Sequence, residues 1–510
     1  MKLLRSLAIA LAAAALFALA WTFARRLAWP FDLEWMEGGM LCHALRLLHH
    51  QPIYAAPSVD FVPYLYTPLY PALLAALAHL VPLGYLLGRA VSVLAFAAAL
   101  VLGYVFARRE GGSRATAWCA MALPAAAYVP TGAWYDLARP DSLFLGLTTF
   151  ALFIGWWKRR SFPSVILAAA LLVAAFLTKQ TAAPFMIALG LALLISAPRS
   201  AIVYGLSLAA LGLPSLWWLN HSTGGWFWTY VFKLHQHHDF YAGRAFLGSP
   251  VRLALLLGPS LLLVPWALAR RRSPGLIYAS FIGATGMLVA CVGFGTQWAF
   301  TNAFIPGVFF AAIAIGTAAG RLVTSDPPSR LAARTEVTPP KRPPVVFVLL
   351  AISIALAPGG LLHAASHVTP RAWAIDADAP TGYDLRPYLP DRADREKGEA
   401  LIARVRATPG EVLIPFHPFY GYLAGKRIFL HRMGVLDVER AGLGAPLGLA
   451  QALAHHEFAL VVMDNKIDGN YYMWPGLLDH YHVTERIDGP RVFSGAQTYP
   501  RDLLTPTGEP

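Results

Sequence analysis

The amino-acid sequence predicts a polytopic α-helical membrane protein with about eleven transmembrane helices and a small C-terminal α/β domain. The chain has 510 residues, of which 57% are hydrophobic and 14% are charged, whereas soluble domains are about 45–50% apolar and about 25% charged. The second observation is that many of the hydrophobic residues lie in long runs. This composition excludes a simple soluble enzyme and a disordered chain. The three cysteines are too scattered for a disulfide framework.

Each transmembrane helix needs roughly 20 mostly apolar residues to cross a hydrocarbon core about 30 Å thick. The first apolar run follows Lys2 and Arg5, and many further apolar runs of similar length come after it. We therefore interpret it as an uncleaved helix and not as a signal peptide. The predicted helices cover residues 7–24, 86–107, 115–134, 141–157, 162–178, 181–197, 201–219, 250–269, 275–294, 301–319 and 344–361.

A further apolar run at 63–83 contains several prolines, which disfavour a continuous helix. If this run does not cross and the N-terminus is cytoplasmic, the basic loops all lie in the cytoplasm, as the positive-inside rule requires. We therefore predict a membrane-hugging or re-entrant helix on the outer face. Arg25 and Arg26 are placed outside, against the pattern. The basic loops lie near 108–114, 158–160, 199 and 270–272 and in a cytoplasmic linker at 320–343.

The net charge of +13 is thus explained by cytoplasmic loops, and no nucleic-acid partner is expected. In this topology a transmembrane module occupies 1–361, with outer loops at 25–85 and 220–249. A periplasmic domain occupies 362–510. Its composition alternates between a charged helical run and short strand candidates, which indicates a small α/β domain without a phosphate-binding loop. The helical run covers 391–407, and the strand candidates cover 411–415, 427–431 and 458–463.

The first outer loop places three carboxylates, Asp32, Glu34 and Glu37, directly after the first helix. Residues 38–49 read as an amphipathic helix, so Glu37 lies in a first turn, where the helix dipole favours a negative charge. Two interpretations are open from these residues alone. The acids are either an ordinary solvated loop start, or they include a general base that meets a lipid-borne substrate at the bilayer surface.

The order of features in this loop resembles the GT-C glycosyltransferases, polytopic enzymes that take sugar from a polyprenyl-phosphate donor. The pattern is most similar to the bacterial group that includes protein mannosyltransferases and the lipid A aminoarabinose transferase. The resemblance implies that Glu37 is the catalytic base. Met36 stands where the family usually has Asp, so Glu34 or Asp32 would supply the second carboxylate. The implied substrate contacts are Tyr54 of a Pro-x-Tyr element, together with Tyr66 and Tyr70 near the apolar element Thr67-Pro68-Leu69-Tyr70.

Two later motifs continue the resemblance. WYDLARPDSL at 134–143 is similar to the family's second acidic loop, and FLTKQT at 176–181 to a segment with a lysine near an outer helix end. Asp136 and Asp141 would bind a divalent cation, Mg²⁺ or Mn²⁺, together with the first loop, or Asp141 simply caps the next helix. Lys179 would hold the donor phosphate, or it only extends its ammonium to water. Arg89 and Arg139 are further candidates for the phosphate.

Two more segments supply substrate-contact candidates. FGTQWAFTNAFIPG at 294–307 resembles a late element of the family and contains Asn302. FKLHQHHDFYAGR at 232–244 contains His235 and His238, whose spacing matches no zinc signature. Because aromatic residues surround these histidines, packing at the membrane interface is the main interpretation, and contact with donor or metal is the alternative.

The resemblance implies an inverting glycosyltransferase in a bacterial-type inner membrane. It would move a sugar from a polyprenyl-phosphate donor to a glycan, lipid or protein acceptor on the periplasmic face, in contact with membrane lipid. Two alternatives are a transporter or flippase of a lipid-linked substrate and a catalytically degenerate GT-C-like subunit, which Met36 suggests. A transporter would place functional charges near the bilayer midplane, often in repeats. The charges here gather at one face, and the sequence shows no repeat.

Overall fold

The computed structural model describes residues 2–324, 344–356, 364–365, 368–370, 384–465 and 476–508. Its first part is helical, and its only sheet among these residues lies in the C-terminal part. The helices of the first part are α1 (Lys2–Arg26), α2 (Glu37–Leu48), α3 (Leu69–Leu77), α4 (Tyr85–Gly111), α5 (Arg114–Ala126), α6 (Pro140–Trp157), α7 (Phe162–Thr178), α8 (Ala183–Ser196), α9 (Pro198–Ser222), the single turn α10 (Trp226–Trp228), α11 (Ser249–Leu257), α12 (Leu263–Arg270), α13 (Pro274–Gly295), α14 (Ile305–Val323) and α15 (Val345–Leu356).

Every predicted transmembrane run contains at least one helix, within the described residues. Among the described residues, six segments are long and apolar enough to cross a membrane, so the polytopic character is supported, while the number of crossings stays a prediction. Residues 325–343 of the predicted linker and the predicted domain boundary after 361 lie outside the described residues. The six segments are Lys2–Arg26, Tyr85–Gly111, Pro198–Ser222, Arg244–Arg270, Pro274–Gly295 and Thr301–Val323.

Two predicted helices are shorter or less regular than their hydrophobic runs. The run at 115–134 is helical only to Ala126, and buried turns follow, with Gly132 at a φ of 86°. The run at 250–269 is interrupted by a 3₁₀ segment at Gly258–Leu262, where Pro259 removes a backbone donor and Gly258 has a φ of 58°. Hydrophobicity alone did not reveal either change because the turns and the 3₁₀ segment are also rich in apolar residues.

The proline-rich run at 63–83 contains only the nine-residue helix α3. At 1.5 Å per residue, α3 is about 14 Å long, which is about half the hydrocarbon thickness. Pro68 stands at its N-cap, and its helical structure ends before Pro82. A short helix that does not cross is what the charge pattern predicted for this run.

The basic segments near 108–114 and 158–160 and the start of the 320–343 linker meet at one end of the helical bundle. The guanidinium of Arg109 lies 5.0 Å from the ring centre of Trp157, which joins the loop ends of α4 and α6. A Cβ added at Gly320 of α14 would lie 2.6 Å from the Gly111 carbonyl oxygen, so these helix ends are in direct backbone contact. This arrangement agrees with a common side for the basic loops.

The C-terminal part is a small α/β unit, as predicted. A capping box of Asp391 and Asp394 starts the charged helix, and the sheet has the order β1-β2-β4-β3, with β1 parallel to β2 and the other pairs antiparallel. Its helices are α16 (Arg392–Ala407), α17 (Phe419–Leu423), α18 (Arg432–Arg440), α19 (Leu449–Ala454) and α20 (Leu477–His480), and its strands are β1 (Glu411–Leu413), β2 (Phe458–Asp464), β3 (Tyr481–Arg486) and β4 (Pro500–Pro506).

The prediction of a strand at 427–431 was wrong. Leu430 donates its backbone N–H to the carbonyl of Val59 in the first outer loop (3.0 Å), so this extended segment bonds outside the sheet. The ring of Phe429 packs on Phe458 of β2, with centres 5.0 Å apart, so the segment is buried against the sheet without pairing with it. β3 and β4 were not predicted. Most of β3 is exposed, so it has no buried face to generate an apolar pattern.

The C-terminal unit packs on both outer loops. A Cβ at Gly398 of α16 would lie 2.2 Å from the ring of Phe31, and Arg440 of α18 forms an ion pair with Asp239 (2.6 Å). The predicted outer segments therefore lie together, at the end of the bundle that carries the candidate acids.

This common placement predicts the result of a topology measurement. Alkaline phosphatase, which is active only outside the cytoplasm, fused after residue 110 or 272 is expected to be inactive, and fused after 365 to be active. The matched control is a cytoplasmic reporter at the same three positions, which should give the opposite pattern. Phosphatase activity at 110 or 272 would contradict the predicted orientation.

Candidate active site

Four ion pairs of Arg or Lys with Asp or Glu, three of them buried, lie among the described residues at the end of the helical bundle that carries the predicted outer loops. They bring together five loop and helix segments that are far apart in the sequence, and each pair joins one carboxylate to one cation. A buried charge is costly unless it is paired and hydrogen-bonded. The pairs are Arg26–Asp136 (2.8 Å), Arg89–Glu37 (2.7 Å), Arg139–Glu34 (3.0 Å) and Lys179–Asp141 (2.5 Å).

Glu37, the predicted catalytic base, has both carboxylate oxygens fully engaged. Oε1 accepts from Arg89 Nε (3.0 Å) and the Ala138 N–H (2.7 Å), and Oε2 accepts from Arg89 (2.7 Å) and the Leu33 N–H (2.7 Å). Burial opposes its ionisation, but these donors lower the pKa of Glu37 below its ordinary value. Its side chain is completely buried, and it does not line the cavity described below. Glu37 is placed to hold loops together.

Arg89, a predicted phosphate ligand, is equally committed. Besides Glu37, its guanidinium donates to the carbonyls of Trp29 (2.6 Å) and Phe31 (2.6 Å). The side chain is completely buried and does not line the cavity. The structure therefore does not place Arg89 where it would meet a donor phosphate.

Asp136, predicted near a metal, forms the second enclosed pair. Arg26 lies 2.8 Å from its Oδ2, and Tyr128 donates its hydroxyl to its Oδ1 (2.8 Å). Arg26 also donates to the hydroxyl of Ser494 in the C-terminal unit (2.8 Å). Both charged side chains are fully buried and do not line the cavity. Arg26 departs from the positive-inside pattern because it serves as the partner of a buried acid.

A cavity of about 1130 Å³ lies between the outer loops, the helices and the C-terminal unit. The other two ion pairs, Arg139–Glu34 and Lys179–Asp141, line it. Its apolar wall comes from membrane helices and includes Leu288, Val292 and Phe144. Its polar wall adds Tyr64, Tyr66, Gln180, His235, His238, Asn302 and Asp437.

Glu34 is the first-loop carboxylate that reaches this cavity. Arg139 donates one N–H to Glu34 (3.0 Å) and another to the hydroxyl of Tyr66 (2.6 Å), and its guanidinium lies over the rings of Tyr66 and Trp134. Burial raises the pKa of Glu34 to about 7, although Arg139 opposes this shift. A carboxylate with a pKa near neutrality is suited to accept a proton in catalysis.

Asp141 and Lys179 meet at the break between two membrane helices. Lys179 has an extended backbone between α7 and the 3₁₀ turn before α8, which directs it towards the first turn of α6. Asp141 Oδ1 accepts from Lys179 Nζ (2.5 Å) and from Asn302 Nδ2 (3.0 Å). The N-cap of α6 is Arg139, without a side-chain capping bond, so Asp141 is not a helix cap. The structure thus joins three residues that the sequence motifs offered for separate roles, and those roles stay predictions.

Three other predicted residues lie outside the cavity lining. Tyr54 donates to the Tyr66 carbonyl (2.6 Å), and Tyr70 donates to the Gly88 carbonyl (3.0 Å). Both hydroxyls are buried, bond to the backbone and lie outside the cavity lining. Asp32 is fully buried against His417 (2.7 Å). These positions do not allow direct substrate contact through the observed cavity.

The histidine loop contributes to the cavity edge. His235 lies near Gln180 (3.5 Å), and His238 pairs with Asp437 of α18 (3.0 Å). Burial lowers the pKa of His235 to about 4, which keeps its imidazole neutral. The predicted substrate contacts Tyr66, His235, His238 and Asn302 all line the cavity. Whether they touch substrate stays a prediction.

Sequence reasoning missed several lining residues. Gln180 follows Lys179 directly, and Trp298 precedes Asn302 in a motif already singled out, so proximity in sequence was a usable signal for both. Asp437 had no such signal, because it reaches the cavity only through the docking of α18 on the histidine loop.

The predicted divalent cation finds no ready ligand cluster. The described residues contain no group of three or more His, Cys, Asp or Glu side chains arranged for a metal ion. The two carboxylates of the acidic loops that line the cavity are each paired with a protein cation, and Asp136 is enclosed by Arg26 and Tyr128. We therefore assign no metal ligands and no metal-dependent step.

Comparison with known proteins gives structural neighbours only: no protein-family profile and no curated protein sequence matches the chain. The structure of ArnT from Cupriavidus metallidurans bound to undecaprenyl phosphate aligns with a TM-score of 0.57 at 14% identity, over 97% of each chain. Its apo form aligns with a TM-score of 0.57 at 13% identity and the same coverage. The apo oligosaccharyltransferase from Archaeoglobus fulgidus gives 0.48 at 12% identity, over 90% of this chain and 70% of that chain. The predicted resemblance to GT-C proteins is confirmed at the level of the fold.

The enclosed Glu37–Arg89 pair leads to a stability prediction. Glu37→Gln and Arg89→Met each leave a buried charge without its partner, so each should lower the free energy of unfolding by about 3–5 kcal/mol. The double variant should recover part of this loss. Thermal unfolding of the detergent-purified protein measures the effect, with Arg386→Met in an exposed ion pair as control. Unchanged thermal stability of Glu37→Gln would show that this pair does not hold the outer loops.

Proposed function

We propose that the protein is a membrane glycosyltransferase that moves a sugar from a polyprenyl-phosphate donor to an acceptor hydroxyl, with Glu34 as general base. The observation that carries this proposal is the division of the four ion pairs: two are enclosed, and two line a cavity between membrane helices and outer loops. The fold shared with ArnT, whose structure holds undecaprenyl phosphate, supports the choice of donor class.

The lipid donor enters from the bilayer side of the cavity. Leu288 and Val292 of α13 line the cavity and are also 55% and 41% exposed on the bundle surface, so the apolar wall continues to where lipid chains would lie. Lys179 is 18% exposed, the most accessible of the four paired cations. It binds the donor phosphate as a point charge, and Arg139 is the second cation near that position.

The transfer needs one base and one group of charges that stabilises the leaving phosphate. Glu34 takes the proton of the acceptor hydroxyl while its oxygen attacks the anomeric carbon of the sugar. The bond from that carbon to the phosphate oxygen breaks, and polyprenyl phosphate leaves with the electron pair. Lys179 and Arg139 stabilise the developing negative charge. Attack opposite to the leaving group inverts the anomeric configuration.

Glu34 replaces Glu37 in the role that the sequence resemblance implied. Both oxygens of Glu37 accept hydrogen bonds away from the cavity, whereas Glu34 lines the cavity and has a pKa near neutrality. The reaction takes place at the outer end of the bundle, which the charge pattern assigns to the periplasmic face. The acceptor is a glycan, a lipid or a protein hydroxyl.

The proposal is tested in membranes that contain the protein and radiolabelled polyprenyl-phosphate sugars. Transfer of label to an endogenous acceptor is expected for the unaltered chain and should be lost in Glu34→Gln. Glu396→Gln, an exposed carboxylate of α16, is the matched control. Movement of donor across the membrane without transfer would indicate the transporter instead, and neither activity would indicate a degenerate subunit.

The pKa of Glu34 predicts the pH dependence of the transfer. The base must be deprotonated to act, so kcat/KM should rise tenfold per pH unit below about 7 and level off above it. Glu34→Gln should lower the plateau by about 10²–10⁴-fold and remove this rise. A pH series of initial rates between 5 and 9 measures both. An unaltered chain whose kcat/KM does not change between pH 5 and 7 would contradict the assignment of Glu34.

A further inference from the structure

His417 lies in a buried contact between the C-terminal unit and the first outer loop, and the transfer chemistry above does not use it. It follows β1 in the sequence, and Asp464 ends the neighbouring parallel strand β2. The carboxyl ends of parallel strands meet at one edge of a sheet, where binding groups commonly lie. In this chain, that edge faces Asp32 of the outer loop.

The imidazole of His417 is held between two carboxylates. Its Nδ1 lies 2.7 Å from Asp32 Oδ2, and its Nε2 lies 3.1 Å from Asp464 Oδ2. All three side chains are at most 1% exposed. Burial alone would lower the pKa of His417, but Asp464 and Asp32 raise it to about 10. The ring is therefore expected to be positively charged at neutral pH, and it bridges the side chains of Asp32 and Asp464.

Asp32 connects His417 to the backbone of the first outer loop. Its Oδ1 accepts from the Gly38 N–H in the first turn of α2 (2.8 Å). Its own N–H donates to the hydroxyl of Tyr420 (3.3 Å), whose ring stacks on His417 with centres 4.9 Å apart. The backbone on both sides of Glu34 is thus connected to the His417 position.

The residue between Asp32 and Glu34 is fixed by the same C-terminal unit. The carbonyl of Leu33 accepts from the N–H groups of Phe493 (2.9 Å) and Ser494 (2.8 Å). A Cβ added at the next residue, Gly495, would lie 3.1 Å from Glu34 Cγ. Glu34 therefore reaches the cavity from a backbone that the C-terminal unit holds.

We propose that His417 is a positioning residue, which ties Asp32 to Asp464 and thereby holds the Glu34 carboxylate at the cavity. This inference rests on the proposed function of Glu34. Without the imidazolium, Asp32 and Asp464 would be buried charges without their common partner, and the loop would have to move to bring them to water. The C-terminal unit thus takes part in catalysis by fixing the geometry of the base.

The test compares His417→Gln with Arg427→Met in the full-length protein. Arg427 pairs with Asp60, so it joins the same unit to the same loop, but at an exposed position far along the chain from Glu34. Hydrogen exchange in a peptide covering residues 32–38 should become about tenfold faster in His417→Gln. The kcat for sugar transfer should fall about 10²-fold because the base is misplaced. The KM for the polyprenyl-phosphate sugar should not change, and Arg427→Met should alter neither quantity.

A milder variant protects the test against loss of folding. Thr498 donates its hydroxyl to Asp464 Oδ2, so Thr498→Val should shift exchange and kcat in the same direction by smaller factors. Unchanged exchange at 32–38, or faster exchange with unchanged kcat, would overturn the positioning role. If the unaltered chain transfers no sugar, the proposed function fails. The exchange measurement then still decides whether His417 holds the loop.

Discussion

Buried carboxylates need cations within hydrogen-bond distance. The loops at one end of the helical bundle, which carry the candidate acids, are held together by such pairs. Glu37 and Arg89 satisfy this requirement most completely, since their contacts join the backbone before α2, the helix α4 and the loop before α6. Arg26 satisfies it for Asp136. These enclosed pairs fix the loops whose remaining charges face the cavity.

Glu37 and Glu34 are each paired with an arginine, but the two pairs differ in accessibility and in the pKa of the carboxylate. Four N–H donors bond to the two oxygens of Glu37, so the carboxylate is stabilised in its charged form and is inaccessible. Around Glu34 burial is the larger effect, so its pKa rises to about 7 beside a single guanidinium. A scaffold acid and a candidate base, three residues apart, thus differ through their partners. The C-terminal unit contributes to this difference by holding the intervening backbone.

Much of this architecture can be predicted from the sequence, because long apolar runs, basic loops and acidic motifs are local signals. The motifs single out Lys179, Asp141 and Asn302 as candidates, but not the contacts that join them. The choice between Glu34 and Glu37 could not be predicted, because both acids follow the same helix and only the fold brings Arg89 to one of them. His417 and Asp437 carry no local signal either, since each meets the outer loops only after the C-terminal unit has docked.

A cryo-electron-microscopy structure of the full-length protein with undecaprenyl phosphate is the most direct test of the central claim. The phosphate should lie within hydrogen-bond distance of Lys179, inside the cavity lined by Glu34, with the lipid chain along Leu288 and Val292. The Glu37–Arg89 pair should stay closed. A phosphate bound by Arg89, with Glu37 released into the cavity, would contradict the division between scaffold and site.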